Sequence, residues 1–75
     1  MAGHTYKVIE LVGTSEVGVT EAINEAIDRA SKSIKGLDWF EVGDIRGQIE
    51  NGRAAWYQVP VRIGFRVMTE EELKA

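Results

Sequence analysis

The side chain best suited to bind a ligand is Trp39, which lies where a helical pattern gives way to a strand pattern. Successive side chains of a strand point to opposite faces. If Phe40 and Val42 face the core, Trp39 therefore lies on the outer face of the sheet. A large flat aromatic on the outside of a 75-residue chain needs a cover. This predicts another subunit, a planar ligand, or both.

Three more residues are expected on the face of Trp39. Gln58 offers an amide donor and an amide acceptor, and Gly64, opposite Trp39, leaves room for the ring. Arg66, with Arg46 as a further candidate, can neutralise a phosphate. Together they predict a site for a flat heteroaromatic ring with a phosphate tail. The pattern leaves a second interpretation open, in which the tryptophan anchors a subunit interface and the glutamine is an ordinary strand residue.

Most catalytic and metal chemistries are excluded by residue type. The chain has no Cys and a single His, His4, which removes disulfides, thiolate zinc sites and Ser-His-Asp or Cys-His catalysis. The Gly-Thr-Ser at residues 13–15 lacks the lysine and the glycine spacing of a phosphate loop. Asp38, Glu41 and Asp44 can bind a hard cation, but solvated surface acids are the simpler interpretation. We therefore predict no catalytic residue, no bound metal and no enzymatic activity.

The size of the chain limits what it can do alone. Residues 1–75 are expected to form one domain with a marginal core, for which oligomerisation is the remaining means of stabilisation. The net charge of −3 argues against non-specific nucleic-acid binding. No apolar run approaches about 20 residues and no signal sequence is present, which predicts no membrane association and a cytoplasmic location. Residues 68–75 are charged and are expected to form a flexible tail.

The order of elements predicts an α+β fold of the type β-α-β-β. Residues 5–14, 37–50 and 54–68 have the composition and alternation of strands. Residues 19–34 carry apolar side chains at three- and four-residue steps, typical of a helix, with Gly18 as N-cap and Glu21 able to reach back to the cap amide. The simplest sheet has three antiparallel strands in the order 1-3-2, curled around the helix.

A hairpin is predicted between the second and third strands, because Asn51-Gly52 is the strongest short turn signal. Residues facing each other across a two-residue turn have numbers that sum to 103. This predicts three pairs: Gln58 with Ile45, Arg62 with Glu41, and Gly64 with Trp39.

Three features disturb the regular pattern. Pro60 cannot donate a ladder bond, so pairing should break there on one side. Arg46 reaches the face of Trp39 only if Gly43 or Gly47 marks a bulge, or from a neighbouring subunit. In the first strand, parity alone leaves open which of two sets is buried: Tyr6, Val8, Glu10 and Val12, or Lys7, Ile9 and Leu11.

Five stretches of the chain resemble the dodecins, a family of small flavin-binding proteins that assemble into hollow dodecamers. The resemblance spans nearly the whole chain and implies a sheet wrapped around one helix. It also implies twelve subunits and flavins bound in pairs across two-fold axes, between tryptophans of neighbouring subunits. The stretches are 4–15 (HTYKVIELVGTS), 37–42 (LDWFEV), 45–47 (IRG), 57–59 (YQV) and 61–66 (VRIGFR).

The resemblance assigns roles to individual residues. The stacking tryptophan of the family falls on Trp39 and its ring-edge glutamine on Gln58. Bacterial relatives use arginines near the flavin phosphate, and these fall on Arg46 and Arg66. Two positions depart from the family pattern: Gly18 replaces a serine-type cap, and Pro60 replaces a threonine. Some relatives bind coenzyme A, for which the candidate phosphate contacts here are Lys7, Arg29 and Lys32.

The predicted function is storage and sequestration of a flavin in a homododecamer that quenches flavin photochemistry. FMN is the expected form, with riboflavin and FAD as the other flavins. Two alternatives remain at this stage. One is a flavin-dependent enzyme, and the other is an interaction module that docks a protein partner on the Trp39 face.

Overall fold

The computed structural model describes residues 4–69 and shows one helix packed against a four-stranded antiparallel sheet. The α+β class and the predicted strand order are confirmed, since 1-3-2 corresponds to β1-β4-β2. The predicted number of strands is wrong, because residues 43–45 divide the expected strand 37–50 into two. In chain order the elements are β1 (Tyr6–Ser15), α1 (Val19–Ser31), β2 (Leu37–Val42), β3 (Arg46–Glu50) and β4 (Arg53–Arg66).

The predicted tail falls mostly outside the described residues. Met68 and Thr69 lie in neither a strand nor a helix, and residues 70–75 are beyond the described range. No helix among residues 4–69 is long and apolar enough to cross a membrane.

β4 is the centre of the sheet, because each of the other strands pairs with it. β1 runs along one side, starting from the pair Tyr6–Arg66, while β2 and β3 follow each other along the other side. The predicted hairpin is confirmed: Asn51 and Gly52 have φ angles of 54° and 75°. Asparagine and glycine adopt this left-handed conformation more readily than other residues.

The gap between β2 and β3 lies opposite Pro60. The Gly43 N–H donates to the Pro60 carbonyl oxygen at 2.9 Å, and β3 starts only at Arg46. On the other side, the register with β1 continues through the pair Val12–Pro60. The predicted break in pairing is therefore confirmed, and it falls on the side of β2 and β3.

The core lies between the helix and β4 and uses small helix residues. Gly13 of β1 is in close contact with the helix, because a Cβ there would overlap the carbonyl group of Ala22. Small residues on both elements let helix and sheet approach closely. The buried hydrophobic side chains of the described residues are Ala22, Ala26, Ala30, Val59, Val61 and Ile63.

This contact decides which face of β1 is buried. Ile9 and Leu11 pack against the core, whereas Tyr6, Val8 and Val12 are exposed on the opposite face. We call the sheet face away from α1 the outer face.

The helix starts where expected but is capped differently. Gly18 is the N-cap and has an extended backbone with no side-chain cap. Its N–H lies 3.5 Å from the Ser15 hydroxyl, which also accepts from the Val17 N–H at 2.9 Å. Ser15 therefore takes the place that sequence analysis gave to Glu21. The helix ends at Ser31 rather than near residue 34.

A bulge in β4 changes the predicted pairing of the hairpin. Ile49 faces Ala54 but Gln48 faces Trp56, so Ala55 is the extra residue. The predicted pairs Arg62–Glu41 and Gly64–Trp39 are confirmed, but the predicted pair Gln58–Ile45 is wrong, because Gln58 faces Arg46. Between the pairs Val42–Val61 and Arg46–Gln58, the three residues 43–45 face only Val59 and Pro60. The extra residue that brings Arg46 to the face of Trp39 therefore lies within 43–45, which agrees with the predicted alternative at Gly43 and not with the one at Gly47.

Candidate functional site

Trp39 lies on the outer face, directly over Gly64. A Cβ built on Gly64 would overlap three atoms of the indole ring, so the ring occupies the space that any larger residue would fill. Gly64 is buried under it. Trp39 as a whole remains 41% exposed, which leaves surface on which a planar ligand can stack.

A bulge at Asp38 determines which way the indole points. Leu37 pairs with Phe65, and Trp39 pairs with Gly64. In a regular strand, Leu37 and Trp39 would share a face. The extra residue places Leu37 on the core side and Trp39 on the outer side.

Tyr6 on β1 contacts both Asp38 and Trp39 on β2, across the outer face of the sheet. Its hydroxyl donates to Asp38 Oδ2 at 2.7 Å, and its ring centroid lies 6.3 Å from that of Trp39, tilted by 56°. The hydrogen bond to Asp38 is the main cause that raises the pKa of Tyr6, and Arg66 opposes the shift. Tyr6 therefore forms a side wall for the indole.

Arg66 belongs to the same end of the outer face. It pairs with Tyr6 across β1 and β4, and its Nη2 donates to Met68 Sδ at 3.5 Å. Its backbone N–H donates to the Gly36 carbonyl oxygen at 3.0 Å. We call Tyr6, Asp38, Trp39, Gly64 and Arg66 the tryptophan cluster.

Gln58 and Arg46 form a second group on the outer face, the glutamine cluster. They are direct cross-strand partners, and Arg46 Nε donates to Gln58 Oε1 at 3.1 Å. This bond occupies one acceptor position of the amide and leaves its NH₂ donors available. Arg46 thereby fixes the orientation of the Gln58 side chain.

The two clusters are separated along β4. Gln58 and Gly64 are six residues apart on this strand, which corresponds to about 20 Å. The predicted placement on a common face is confirmed, but one chain does not bring Trp39 and Gln58 together. A flat ring stacked on Trp39 is too short to reach Gln58 of the same chain.

A charged strip lies between the two clusters. Arg62 Nε donates to Glu41 Oε1 at 2.9 Å, and Arg62 Nη1 lies 3.6 Å from Glu10 Oε2. The bond to Glu41 raises the pKa of Arg62. The ion pair predicted between Arg62 and Glu41 is present. The strip is polar and its arginine is held by two carboxylates.

The candidate phosphate contacts for coenzyme A are on other parts of the structure. Arg29 and Lys32 form ion pairs with Glu25 at 3.2 Å and Asp28 at 3.4 Å along the helix. Lys7 is exposed on β1.

Two of the three acids that sequence analysis considered as cation ligands already have partners. Asp38 accepts from Tyr6 and Glu41 from Arg62. Within residues 4–69, no group of three or more His, Cys, Asp or Glu side chains is arranged to hold a metal ion.

Sequence analysis did not include Tyr6 among the site residues and considered Asp38 only as a ligand for a cation. Parity placed Tyr6 with Val8 and Val12, but did not say whether this set is outside. Nothing in the local sequence marks the bulge at Asp38. The signal that was available is the residue type, since tyrosine combines a stacking ring with a hydroxyl donor.

The outer face and the fold together define a small α+β binding protein that presents an aromatic seat and two arginines. Comparison with known proteins gives the same class. Residues 5–68 match the family model described as Dodecin. The dodecin of Thermus thermophilus is 51% identical over 65 residues, which cover 87% of this chain and 94% of that protein.

Solved structures agree with the family match. The dodecin of Streptomyces coelicolor is 50% identical with a TM-score of 0.84, covering 93% of this chain and 100% of the other. Three variants of the Thermus thermophilus dodecin, with a tryptophan changed to phenylalanine or one of two arginines to alanine, each give 48% identity and a TM-score of 0.84. They cover 89% of this chain and 98% or 100% of theirs. The chain belongs to the dodecin family and is a small flavin-binding protein.

Proposed function

We propose that this protein stores and sequesters FMN in a hollow homododecamer and quenches the photochemistry of the bound flavin, without enzymatic turnover. The observation that carries the proposal is the position of Trp39 on the outer face. Its indole ring lies over the backbone of Gly64 and remains partly exposed. A preorganised, exposed aromatic surface is suited to stacking on a planar ligand.

The separation of the two clusters supports a site shared between subunits. The tryptophan and glutamine clusters lie about 20 Å apart on one chain, so a flavin stacked on Trp39 needs Gln58 from a neighbour. Two chains related by a two-fold axis can each supply one cluster to the other. This arrangement agrees with flavins bound in pairs between tryptophans of neighbouring subunits.

The shape of the isolated chain also supports assembly. Its radius of gyration is 15.5 Å, whereas a compact chain of this length has about 11 Å. Large apolar side chains are exposed, with Phe40 at 51% and Ile49 at 78%. Ile49 lies on the β3–β4 hairpin, which extends beyond the helix. Burying such surface between subunits stabilises a chain with a small core.

The arginines favour a phosphorylated flavin over riboflavin. Arg66 lies beside Trp39 in the tryptophan cluster, and Arg46 lies beside Gln58. A guanidinium binds phosphate through paired N–H donors. The variants of the Thermus thermophilus dodecin replace a tryptophan and two arginines, which are the residue types assigned here to Trp39, Arg46 and Arg66.

Quenching follows from the same geometry. A bound flavin would supply the photoexcited ring, and Trp39 would hold the stacked indole that can donate an electron to it. Trp39 is the donor, and its position over Gly64 keeps the ring in place without solvent reorganisation. The carboxylates of Asp38 and Glu41 accept hydrogen bonds from Tyr6 and Arg62, and the role proposed for the chain is binding and electron donation.

Coenzyme A is a second candidate ligand, with Lys7, Arg29 and Lys32 as phosphate contacts. The ion pairs of Arg29 and Lys32 are exposed, and such pairs contribute only about 0–1 kcal/mol. Their replacement by phosphate contacts therefore costs little. Calorimetric titration with coenzyme A, compared for the wild type and an Arg29→Ala, Lys32→Ala variant, tests this part of the proposal.

The absorbance spectrum and the native mass of the purified protein test the main function together. We expect flavin absorbance, strongly quenched emission, and a mass of twelve chains of 8.3 kDa each. A colourless protein that takes up no added FMN contradicts flavin storage and favours an interaction module. Sustained oxidation of a reduced nicotinamide by the loaded protein favours a flavin-dependent enzyme instead.

A further inference from the structure

Tyr6 and Asp38 form a contact across the whole width of the sheet. Tyr6 is on β1 and Asp38 is on β2, and these strands lie on opposite sides of β4. The hydroxyl of Tyr6 reaches Asp38 Oδ2 at 2.7 Å. β1 and β2 share no ladder, so this side-chain bond links two strands that the backbone joins only through β4.

The acceptor of this bond is the extra residue of the bulge. A bulged residue is left out of the ladder, so its conformation is less constrained than that of its neighbours. The bulge also determines the face on which Trp39 lies, as the pairs Leu37–Phe65 and Trp39–Gly64 show. A hydrogen bond that fixes the conformation of Asp38 therefore also fixes the direction in which Trp39 points.

The ring of Tyr6 adds a steric constraint to the hydrogen bond. Its centroid lies 6.3 Å from that of Trp39 with a 56° tilt, within the range of attractive aromatic pairs. Gly64 forms the floor under the indole. Because Gly64 lies beneath the indole and Tyr6 lies beside it, the indole has fewer orientations to lose when a ligand stacks on it.

We infer that Tyr6 is a positioning residue for flavin binding, which acts through its hydrogen bond to Asp38 on the bulge that orients Trp39. This inference rests on the proposed function. It assigns to Tyr6 and Asp38 a role in affinity and in quenching geometry, although neither residue has to contact the ligand.

Four variants of the assembled protein test the role of the bond. Tyr6→Phe keeps the ring and removes the donor, and Asp38→Ala removes the acceptor. Asp38→Asn is the conservative control, since its amide oxygen still accepts from the tyrosine hydroxyl. The double variant Tyr6→Phe with Asp38→Ala shows whether the two residues act through one contact.

Three quantities are measured: the Kd for FMN, the residual emission of flavin at saturation, and amide hydrogen exchange at residues 38 and 39 in flavin-free protein. For Tyr6→Phe and Asp38→Ala we expect roughly three- to tenfold weaker binding, higher residual emission and faster exchange. The double variant should be no worse than either single one. Asp38→Asn should stay within about twofold of the wild type, because it keeps the hydrogen bond.

Two results would overturn the inference. In one, Tyr6→Phe matches the wild type in affinity, emission and exchange. In the other, Asp38→Asn is as defective as Asp38→Ala, which would show that the charge of Asp38 matters and the hydrogen bond does not. If the wild type itself fails to bind FMN, the proposed function is wrong, and hydrogen exchange in the flavin-free protein still tests the positioning of Trp39.

Discussion

The indole ring of Trp39 occupies the volume in which Gly64 would carry a side chain. The two residues face each other across β2 and β4, and the contact depends on the absence of a Cβ. The identity of residue 64 is therefore part of the ligand site, although glycine itself offers no group to a ligand.

Gly64→Ala should move the indole and weaken FMN binding by more than tenfold. The new methyl group would overlap three ring atoms, but Trp39 is partly exposed and can turn away, so the stability loss should be only about 1 kcal/mol, at the low end for overpacking. Gly43→Ala is the matched control, because a Cβ there meets nothing closer than 3.4 Å. If fluorescence titration gave equal FMN affinities for the two variants, the absence of a Cβ at residue 64 would not be needed to position the indole for binding.

Trp39→Ala should lower FMN affinity by more than tenfold and restore emission to any flavin that still binds. A stacked aromatic pair contributes about 0.5–1.5 kcal/mol beyond the area it buries, and burial adds roughly 25 cal/mol per Å². Native mass should remain that of the dodecamer. Trp56→Phe, on the exposed hairpin, should leave quenching unchanged. Loss of the oligomer with normal flavin binding by the remaining subunits would make Trp39 an interface anchor instead.

Gln58→Leu should weaken flavin binding while leaving assembly intact. The leucine keeps the size but removes donor and acceptor, which costs about 1–3 kcal/mol for each desolvated ligand group that loses a partner. Gln48→Leu, on the exposed strand β3, is the control for adding an apolar side chain to the same sheet. Isothermal titration gives the Kd for flavin of both variants. An unchanged Kd for Gln58→Leu would show that this residue is not part of the site.

The two arginines should differ in their effects on FMN and riboflavin. Arg66→Ala should weaken FMN and leave riboflavin unchanged, because the ligand group assigned to Arg66 is the phosphate. Arg46→Ala should weaken both ligands, since Arg46 Nε also holds Gln58 Oε1 at 3.1 Å and so orients the amide. Titration of each variant with each flavin gives four dissociation constants. Equal loss of riboflavin affinity in both variants would contradict this division of roles.

Stability of the flavin-free protein should fall at high pH because of Tyr6. Its pKa is raised in the folded state, first by the hydrogen bond to Asp38, then by burial and by the charge of Asp38, while the charge of Arg66 opposes the shift. The folded state thus holds the tyrosine proton more tightly than the unfolded state. This contribution is complete below the unfolded pKa of about 10 and is lost as pH rises through the higher folded pKa.

The measurement compares urea unfolding of the wild type and Tyr6→Phe at fixed protein concentration across that range. The wild type should lose stability more steeply than Tyr6→Phe. If the free energies of unfolding of the two proteins change with pH in parallel, the Tyr6–Asp38 bond makes no pH-dependent contribution to stability.

Local signals in the sequence were sufficient for most of the fold. Asn51-Gly52 fixed the turn, and the alanines of the helix fixed its buried face. Counting from the turn placed Trp39 opposite Gly64 because the extra residue at Ala55 in β4 is offset by one among residues 43–45. These predictions depend on short-range chemistry or on simple periodicity.

The errors in the sheet concern irregularities that tertiary contacts determine. The bulges at Asp38 and Ala55 have no distinctive residue, so the pairing of Gln58 was predicted one residue away from its partner Arg46. Parity could not choose the buried face of β1, which depends on the contact of Gly13 with the helix. Residues on one face were also grouped into one site, because alternation gives the face of a residue but not its distance along the strand.

The central position of β4 has a consequence for the synthesis of the protein. Every ladder of the sheet includes β4, which is the last of the elements to leave the ribosome. Until then, the nascent chain can form its helix but no strand pair, because each of its strands lacks its only partner. The β3–β4 hairpin can close once the first half of β4 has emerged, but the β1 ladder is complete only when Arg66 has emerged and can meet Tyr6 from the opposite end of the described chain. Such long-range pairing is slow and leaves apolar strands exposed meanwhile, so a ribosome-bound chain is the form of this protein most in need of a chaperone.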